Sequence, residues 1–316
     1  MTTVSVIICT YNGEKYLREQ LDSLIHQTLQ PTEVILQDDG SSDHTIEIVT
    51  SYCDKLNLKI YRNETNLGFS KNFESAISKA TGDFIALCDQ DDIWEKNKLE
   101  LLTNALGKAS LIYSDSLLVD SNNASLNLLF SNRLKRNFGP SNTALNFLFS
   151  NVVAGHAMLF QKELVEDIIP FPNDIYFDTW IAATAASKQG IVYLPMPLVR
   201  YRQHSANTLS NQKKQKKSLL KKMQNMAHEH INDNHNFLIR IEAFRNISTL
   251  TQKEKNLLHQ IQKYVTDFQT TWFNWQFFIF LTKNREIFFK FFKKNKLRLS
   301  FKNSLGLKLF KKAVLS

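Results

Sequence analysis

The sequence predicts an α/β protein: a mostly parallel sheet with helices on both faces over residues 1–208, followed by a basic helical region over 209–316. Two observations carry this. Short apolar, β-branched runs alternate with helical patterns long enough to cross over a sheet, the arrangement that produces parallel strands. The charge also changes sign along the chain: residues 1–204 hold 17 Lys/Arg against 24 Asp/Glu, a net of −7, whereas residues 205–316 hold 22 against 6, a net of +16. The overall charge of +9 therefore belongs entirely to the tail. With 316 residues and 43% hydrophobic side chains the chain can bury a full core, which excludes a disordered protein.

Each element follows from its local pattern. Val4 to Cys9 is a continuous β-branched run that enters the polar loop Thr10-Tyr11-Asn12-Gly13. Tyr16, Leu17, Gln20, Leu21, Leu24 and Ile25 recur at helical spacing, and Pro31 ends that pattern before a second strand, Glu33 to Gln37. Ser41-Ser42-Asp43 reads as a cap, with Thr45, Ile46, Ile48 and Val49 as the helix and Leu58 to Tyr61 as the next strand. Phe69, Phe73, Ala76, Ile77 and Ala80 form one helical face, Gly82 closes it, and Asp83 to Cys88 is another buried strand. Further on, Gly155 to Phe160 reads as a turn entering a strand, Tyr176 to Trp180 opens an apolar helix, and Gly190 to Leu194 is a strand followed by a turn at Pro195 and Pro197.

Ligands of parallel α/β sheets bind beyond the carboxyl ends of the strands. Three of these ends are polar: Thr10-Tyr11-Asn12, Asp38-Asp39-Gly40-Ser41 and Asp89-Gln90-Asp91-Asp92. They are expected to converge on one crevice. Carboxylates crowded at a strand mouth call for a hard cation, Mg²⁺ or Mn²⁺, with substrate phosphates completing the shell. The plainer alternative is a solvated acidic turn capping a helix that starts near Trp94. Asp39 is the expected contact to a base or ribose, with Asp38 mainly structural.

In this order and spacing, Thr10 to Gly13, Asp38 to Asp43, Asn66-Leu67-Gly68 and Asp89 to Asp92 with Trp94 resemble the family-2 glycosyltransferases of the GT-A fold, over about residues 3–208. The Asp-Gln-Asp-Asp-x-Trp variant is similar to that of bacterial rhamnosyl- and related transferases that build cell-surface polysaccharide. The resemblance implies a nucleotide-sugar-binding half over 1–115 and an acceptor half over 116–208. It implies that Thr10, Tyr11, Asn12, Asp39, Asn66 and Gln90 contact the nucleotide sugar, that Asp89 and Asp91 bind a metal holding its diphosphate, and that Asp178 is the general base. His204 would be the third metal ligand or a diphosphate contact, with Arg202 on the phosphates. Lys71 is a phosphate contact or an exposed helix lysine, both readings standing. His156 and Trp180 fall on the acceptor side, and a carboxylate at the start of a helix, as Asp178 is, would have a low pKa. Phe177 and Thr179 depart from the His-Asp-Trp-Trp form of related members, which bears on acceptor identity. The implied reaction is inverting transfer from a UDP- or dTDP-linked sugar to a hydroxyl of a lipid-linked or growing surface glycan. A binding protein that lost turnover would not be expected to keep Asp89, Asp91, Asp178 and His204 together. A nucleotidyltransferase would need a Gly- and Lys/Arg-rich phosphate loop after the first strand, and none is there.

The tail carries no catalytic constellation. A lysine-rich run, Lys213 to Lys222, opens a helical region through Phe237, Ile241, Phe244, Leu257, Ile261 and Val265. From Trp272 to Leu309, Phe277, Phe278, Phe280, Phe288, Phe289, Phe291 and Phe292 interleave with Lys290, Lys293, Lys294, Lys296 and Arg298. Aromatic and cationic faces together point to an anionic membrane surface as partner. Packing of the aromatics on the catalytic domain is the alternative, and nucleic acid is disfavoured by the acidic first half and the absence of a recognised binding module. The apolar stretch from Trp272 to Leu281 is too short to span a bilayer. The opening Met-Thr-Thr lacks a signal-peptide pattern, and three unpaired cysteines fit a reducing compartment. The expected location is cytoplasmic, peripheral on the inner face of the membrane.

Overall fold

The computed structural model describes residues 2–204, 236–266, 273–293 and 296–304. The basic run Lys213–Lys222, together with Trp272, Lys294 and Leu309, lies outside them.

Four parallel strands build the first half: β1 (Val4–Thr10), β2 (Glu33–Asp38), β3 (Leu58–Arg62) and β4 (Phe84–Cys88). They are ordered β3-β2-β1-β4. Their crossovers are α1 (Leu17–Ile25), α2 (Thr45–Thr50) and α3 (Phe69–Ile77). Thr10 stands beside Asp38 and Ile8 beside Cys88, so the three strands end together and their polar loops leave from one edge. This is the convergence expected from the strand-end residues.

The second half completes a nine-stranded sheet. It comprises β5 (Ile93–Trp94), α4 (Lys98–Leu106), β6 (Leu111–Val119), β7 (Ser125–Leu129), α5 (Phe130–Leu134), β8 (Met158–Gln161), α6 (Val165–Ile168), α7 (Phe177–Lys188) and β9 (Ile191–Arg202). Strand β8 enters antiparallel between β4 and β6, which sets His156, just before it, beside the end of β4. Two expectations change here. Trp94 is not at a helix start: Ile93 and Trp94 pair antiparallel with Arg200 and Val199, and the helix begins at Lys98. Nor do Pro195 and Pro197 end a strand. β9 runs on through them beside β6, and the register shifts around Asp115, where prolines cannot donate ladder hydrogen bonds. This continuation carries Arg202 and His204 to the acidic loop 89–92.

Side chains alternate along β1. Val4, Val6 and Ile8 face one core with α1, α2 and α4, and Ile7 faces the other with α3 and α7. The tail helices join this second core: α8 (described over residues 236–245), α9 (Gln252–Thr266), α10 (Trp275–Lys283), α11 (Arg285–Phe288) and α12 (Lys296–Asn303). Phe244, Phe277, Phe288, Phe289 and Phe291 are buried there, and Phe147 meets Phe291 at 5.2 Å between rings. Asn146 donates to the Ile287 carbonyl at 2.7 Å, and Arg240 to that of Leu148 at 3.1 Å. The aromatic face expected to lie on a membrane is therefore largely turned inward. Phenylalanines at this density supply more apolar area than one solvent-side stripe can accommodate, and burying each contributes about 1.5–3 kcal/mol.

Candidate active site

The strand-end loops, the turn before β8 and the start of α7 enclose a cavity of about 650 Å³. Its lining includes Thr10, Tyr11, Asp39, Asn66, Asn72, Asp89, Gln90, Asp91, His156 and Asp178, so most residues expected from separate motifs share one space. Among its described residues are four carboxylates, Asp39, Asp89, Asp91 and Asp178, and no Lys or Arg.

The nucleotide-side loops are tied to one another before any ligand arrives. Asp38 accepts from the Thr10 hydroxyl at 2.9 Å and from the Ser41 N–H at 2.9 Å, the structural part expected of it. Asp39 lines the cavity, yet its carboxylate already accepts from Asn63 Nδ2 and Leu67 N, both at 2.7 Å, and from Gly68 N at 2.9 Å. A carboxylate has about four acceptor positions, so roughly one is left for a ligand. Gln90 clasps both backbone groups of Tyr11, at 3.0 and 3.2 Å, and packs so tightly on Gly13 that a Cβ there would meet its Oε1 at 2.3 Å. Tyr11 itself is half exposed along the cavity wall. Asn12 adopts a positive φ of 49° and binds Ser41 and Ser42 through its own N–H and side chain, outside the cavity lining.

The acidic loop holds more charge than it can neutralise. His204 Nε2 lies 2.7 Å from Asp91 Oδ2. His156 Nδ1 lies 3.5 Å from Asp89 Oδ2 and 3.7 Å from Asp92 Oδ2, with its Nε2 on Ser116 at 2.9 Å. Asp92 is fully buried, and its Oδ2 has no hydrogen-bond partner among the described residues. Burial raises the pKa of Asp91, helped by Asp89 and opposed by His204; burial likewise pushes Asp92 well up, helped by Asp91 and Asp89. Lys98, buried beneath the loop, lies 3.3 Å over the Trp94 ring and donates to the His156 carbonyl at 2.6 Å. Desolvation lowers its pKa to about 7. An orphaned carboxylate oxygen among hard oxygen and imidazole donors fits a divalent cation. The expected ligands divide in two: Asp91 pairs with His204, while ligand atoms of Asp89, Asp92 and His156 lie within 4.8 Å of one another. His156, expected on the acceptor side, thus joins the carboxylates, because β8 runs next to β4.

Besides Asn12 and His204, three further expected contacts lie outside the cavity lining. Arg202 is fully buried, donating to the Asp91 carbonyl at 2.8 Å and to Glu19 at 2.9 Å while its own N–H binds Asp92 at 3.0 Å. It braces the acidic loop from below instead of facing phosphates. Lys71 pairs with Glu74 on an exposed face of α3, the plainer of its two readings. Trp180 is buried, its indole N–H on the Ile168 carbonyl at 2.8 Å, because it occupies the core side of α7.

Asp178 sits in the first turn of α7 and accepts from the Thr179 N–H at 2.6 Å. Its pKa is not low but raised to about 6, since burial outweighs the backbone hydrogen bond and the helix terminus. Two residues before it, Tyr176 is 59% exposed, and Phe69 across the mouth is 49% exposed. Their rings stack at 6.5 Å with 27° between planes, above Phe73 and Phe177. Residues 66–72 are expected from the resemblance to line this pocket, but the stacked pair is missing from the sequence expectations, because Phe69 reads as one position of a helical core face and Tyr176 as the opening of an apolar helix.

Residues 5–169 match the glycosyl transferase family 2 profile. The chain belongs to glycosyltransferase family 2. Among its relatives, poly(ribitol-phosphate) β-N-acetylglucosaminyltransferase TarS of Staphylococcus aureus is 35% identical over 180 residues, covering 56% of this chain and 30% of TarS. A glycosyltransferase of Haemophilus influenzae is 28% identical over 228 residues, 66% of this chain and 67% of the relative. The chain thus spans under a third of TarS. In fold it is similar to the crystal structure of S. aureus TarS 1–349, with a TM-score of 0.58 at 21% identity over 99% of this chain and 81% of that one. It is also similar to the mannosyltransferase PcManGT of Pyrobaculum calidifontis in complex with GDP-Man and Mn²⁺, at 0.51 and 20% over 83% and 69%. The fold is GT-A, as the sequence resemblance implies.

Proposed function

We propose that this family-2 glycosyltransferase moves a sugar, with inversion, from a UDP- or dTDP-linked donor to a hydroxyl of a lipid-linked or growing surface glycan, with Mn²⁺ or Mg²⁺ as cofactor. The observation that carries this reading is one cavity holding both the acidic loop and Asp178, with Asp39 and Tyr11 at its nucleotide end. The relatives support the donor class: TarS has been crystallised with UDP-GlcNAc, and PcManGT with GDP-Man.

The acceptor hydroxyl attacks the anomeric carbon of the donor, its proton passes to the Asp178 carboxylate, and the bond between that carbon and the diphosphate oxygen breaks. A divalent cation, when bound by residues drawn from Asp89, Asp91, Asp92, His156 and His204, supplies charge neutralisation for the diphosphate that departs. Gln90 and Asp39 keep the nucleotide loops in place, Arg202 holds the acidic loop from beneath, and Lys98 holds the turn that carries His156. Tyr176 and Phe69 offer the apolar face that a sugar ring stacks on, next to the base.

A panel of UDP-, dTDP- and GDP-sugars with Mn²⁺, read as nucleoside diphosphate release, tests the reaction. Release from at least one donor supports the reading, and pyrophosphate release would overturn it. Tyr176→Ala should raise the acceptor KM on the order of tenfold while leaving nucleotide affinity unchanged.

A further inference from the structure

Helix α10 is apolar on two sides. Phe277, Phe280 and Leu281 face the core, whereas Trp275 is 65% and Ile279 50% exposed, one helical turn apart. Phe278 lies half-buried between them on the same side, and the exposed Lys283 follows one turn later. Helix α12 packs against α10 and presents Leu297, 51% exposed, next to Arg298. Globular packing has no use for such side chains in water, least of all a tryptophan.

Charge complementarity identifies the occupant. Residues 275–298 carry seven Lys/Arg and one acidic residue, Glu286, which is already engaged by Lys296 and Arg285. Lys283 and Lys293 enter no ion pair among the described residues. A second copy of this chain would bring the same positive face against itself. A lipid surface rich in anionic headgroups offers an apolar layer for Trp275 and Ile279 and negative charge for the lysines around them. The nine residues of α10 reach about 14 Å, under half the hydrocarbon core, and no described helix is long and apolar enough to cross a membrane.

We propose that the outward face of α10, with Trp275 and Ile279 at its centre and Lys283 one turn beyond, docks this protein on an anionic bilayer surface. Of the seven phenylalanines expected to do so from sequence, five, Phe277, Phe280, Phe288, Phe289 and Phe291, are buried in the core instead, and the two exposed side chains make the contact. The surface stands apart from the transfer reaction, so its test needs no substrate.

Flotation of the full chain with phosphatidylcholine vesicles, with and without phosphatidylglycerol, tests it. Binding to the anionic vesicles alone, weakening with salt, is expected. The variant Trp275→Ser/Ile279→Ser should lower the partition by tenfold or more at an unchanged Tm, since both residues are exposed. Lys283→Gln should weaken binding to the anionic vesicles in particular. No flotation of the full chain would overturn the proposal. So would undiminished flotation of the Trp275/Ile279 variant, which would assign binding to another segment, or a dimer abolished by that variant in the absence of any vesicle binding.

Discussion

The cavity at the strand ends and the helical layer behind it solve opposite problems. At the cavity, carboxylates are gathered and desolvated: Asp92, behind its wall, keeps a buried oxygen with no hydrogen-bond partner among the described residues, and burial raises the pKa of Asp91, Asp92 and Asp178. In the tail layer, a phenylalanine-rich sequence is largely consumed by packing, as Phe244, Phe277, Phe288, Phe289 and Phe291 are buried. Instability tolerated at one place and removed at the other separates the part that binds and reacts from the part that holds it together.

The contrast can be broken experimentally. Asp178→Asn is expected to cut kcat about 10²–10⁴-fold with nucleotide affinity and fold intact. In the unsubstituted enzyme kcat/KM should fall about tenfold per pH unit below about 6, because protonated Asp178 cannot accept the hydroxyl proton. A wild-type rate in the variant would remove Asp178 from the chemistry. Phe289→Ala, behind the cavity, should instead cost about 3–5 kcal/mol in urea unfolding. A negligible loss would show that the helical layer is not part of the core.

The smallest effect sharpens the comparison most. Asp92→Asn replaces a fully buried carboxyl group whose charged form burial disfavours and whose Oδ2 has no hydrogen-bond partner among the described residues, so the cation-free protein should keep or gain stability. The same variant should lose Mn²⁺ stabilisation, which for the unsubstituted protein amounts to about 2.7 kcal/mol at a hundred times Kd. Thermal shift with and without Mn²⁺ reads both. A variant less stable without cation would mean that Asp92 serves packing.

Much of the nucleotide half was legible from sequence. The β-branched runs, the helical spacing of Leu17, Leu21 and Leu24, and the polar strand ends are local signals, and parallel topology then brings those ends together. Strand β6 and the pairing of Trp94 with Val199 were not legible, since one is interrupted at its centre by Ser114-Asp115-Ser116 and the other depends on a partner 105 residues away.

The sequence by itself determined the α/β alternation, the acidic first half with its basic tail, and which residue types meet at the crevice, because periodicity, turn chemistry and charge are written residue by residue. Only the tertiary structure decided that Arg202 braces the acidic loop from within, that His156 stands with Asp89 and Asp92, and that α10 keeps its phenylalanines largely inside while Trp275 and Ile279 face out. Those choices depend on strand register and on which surface each helix finds, and both are contacts between residues far apart in the chain.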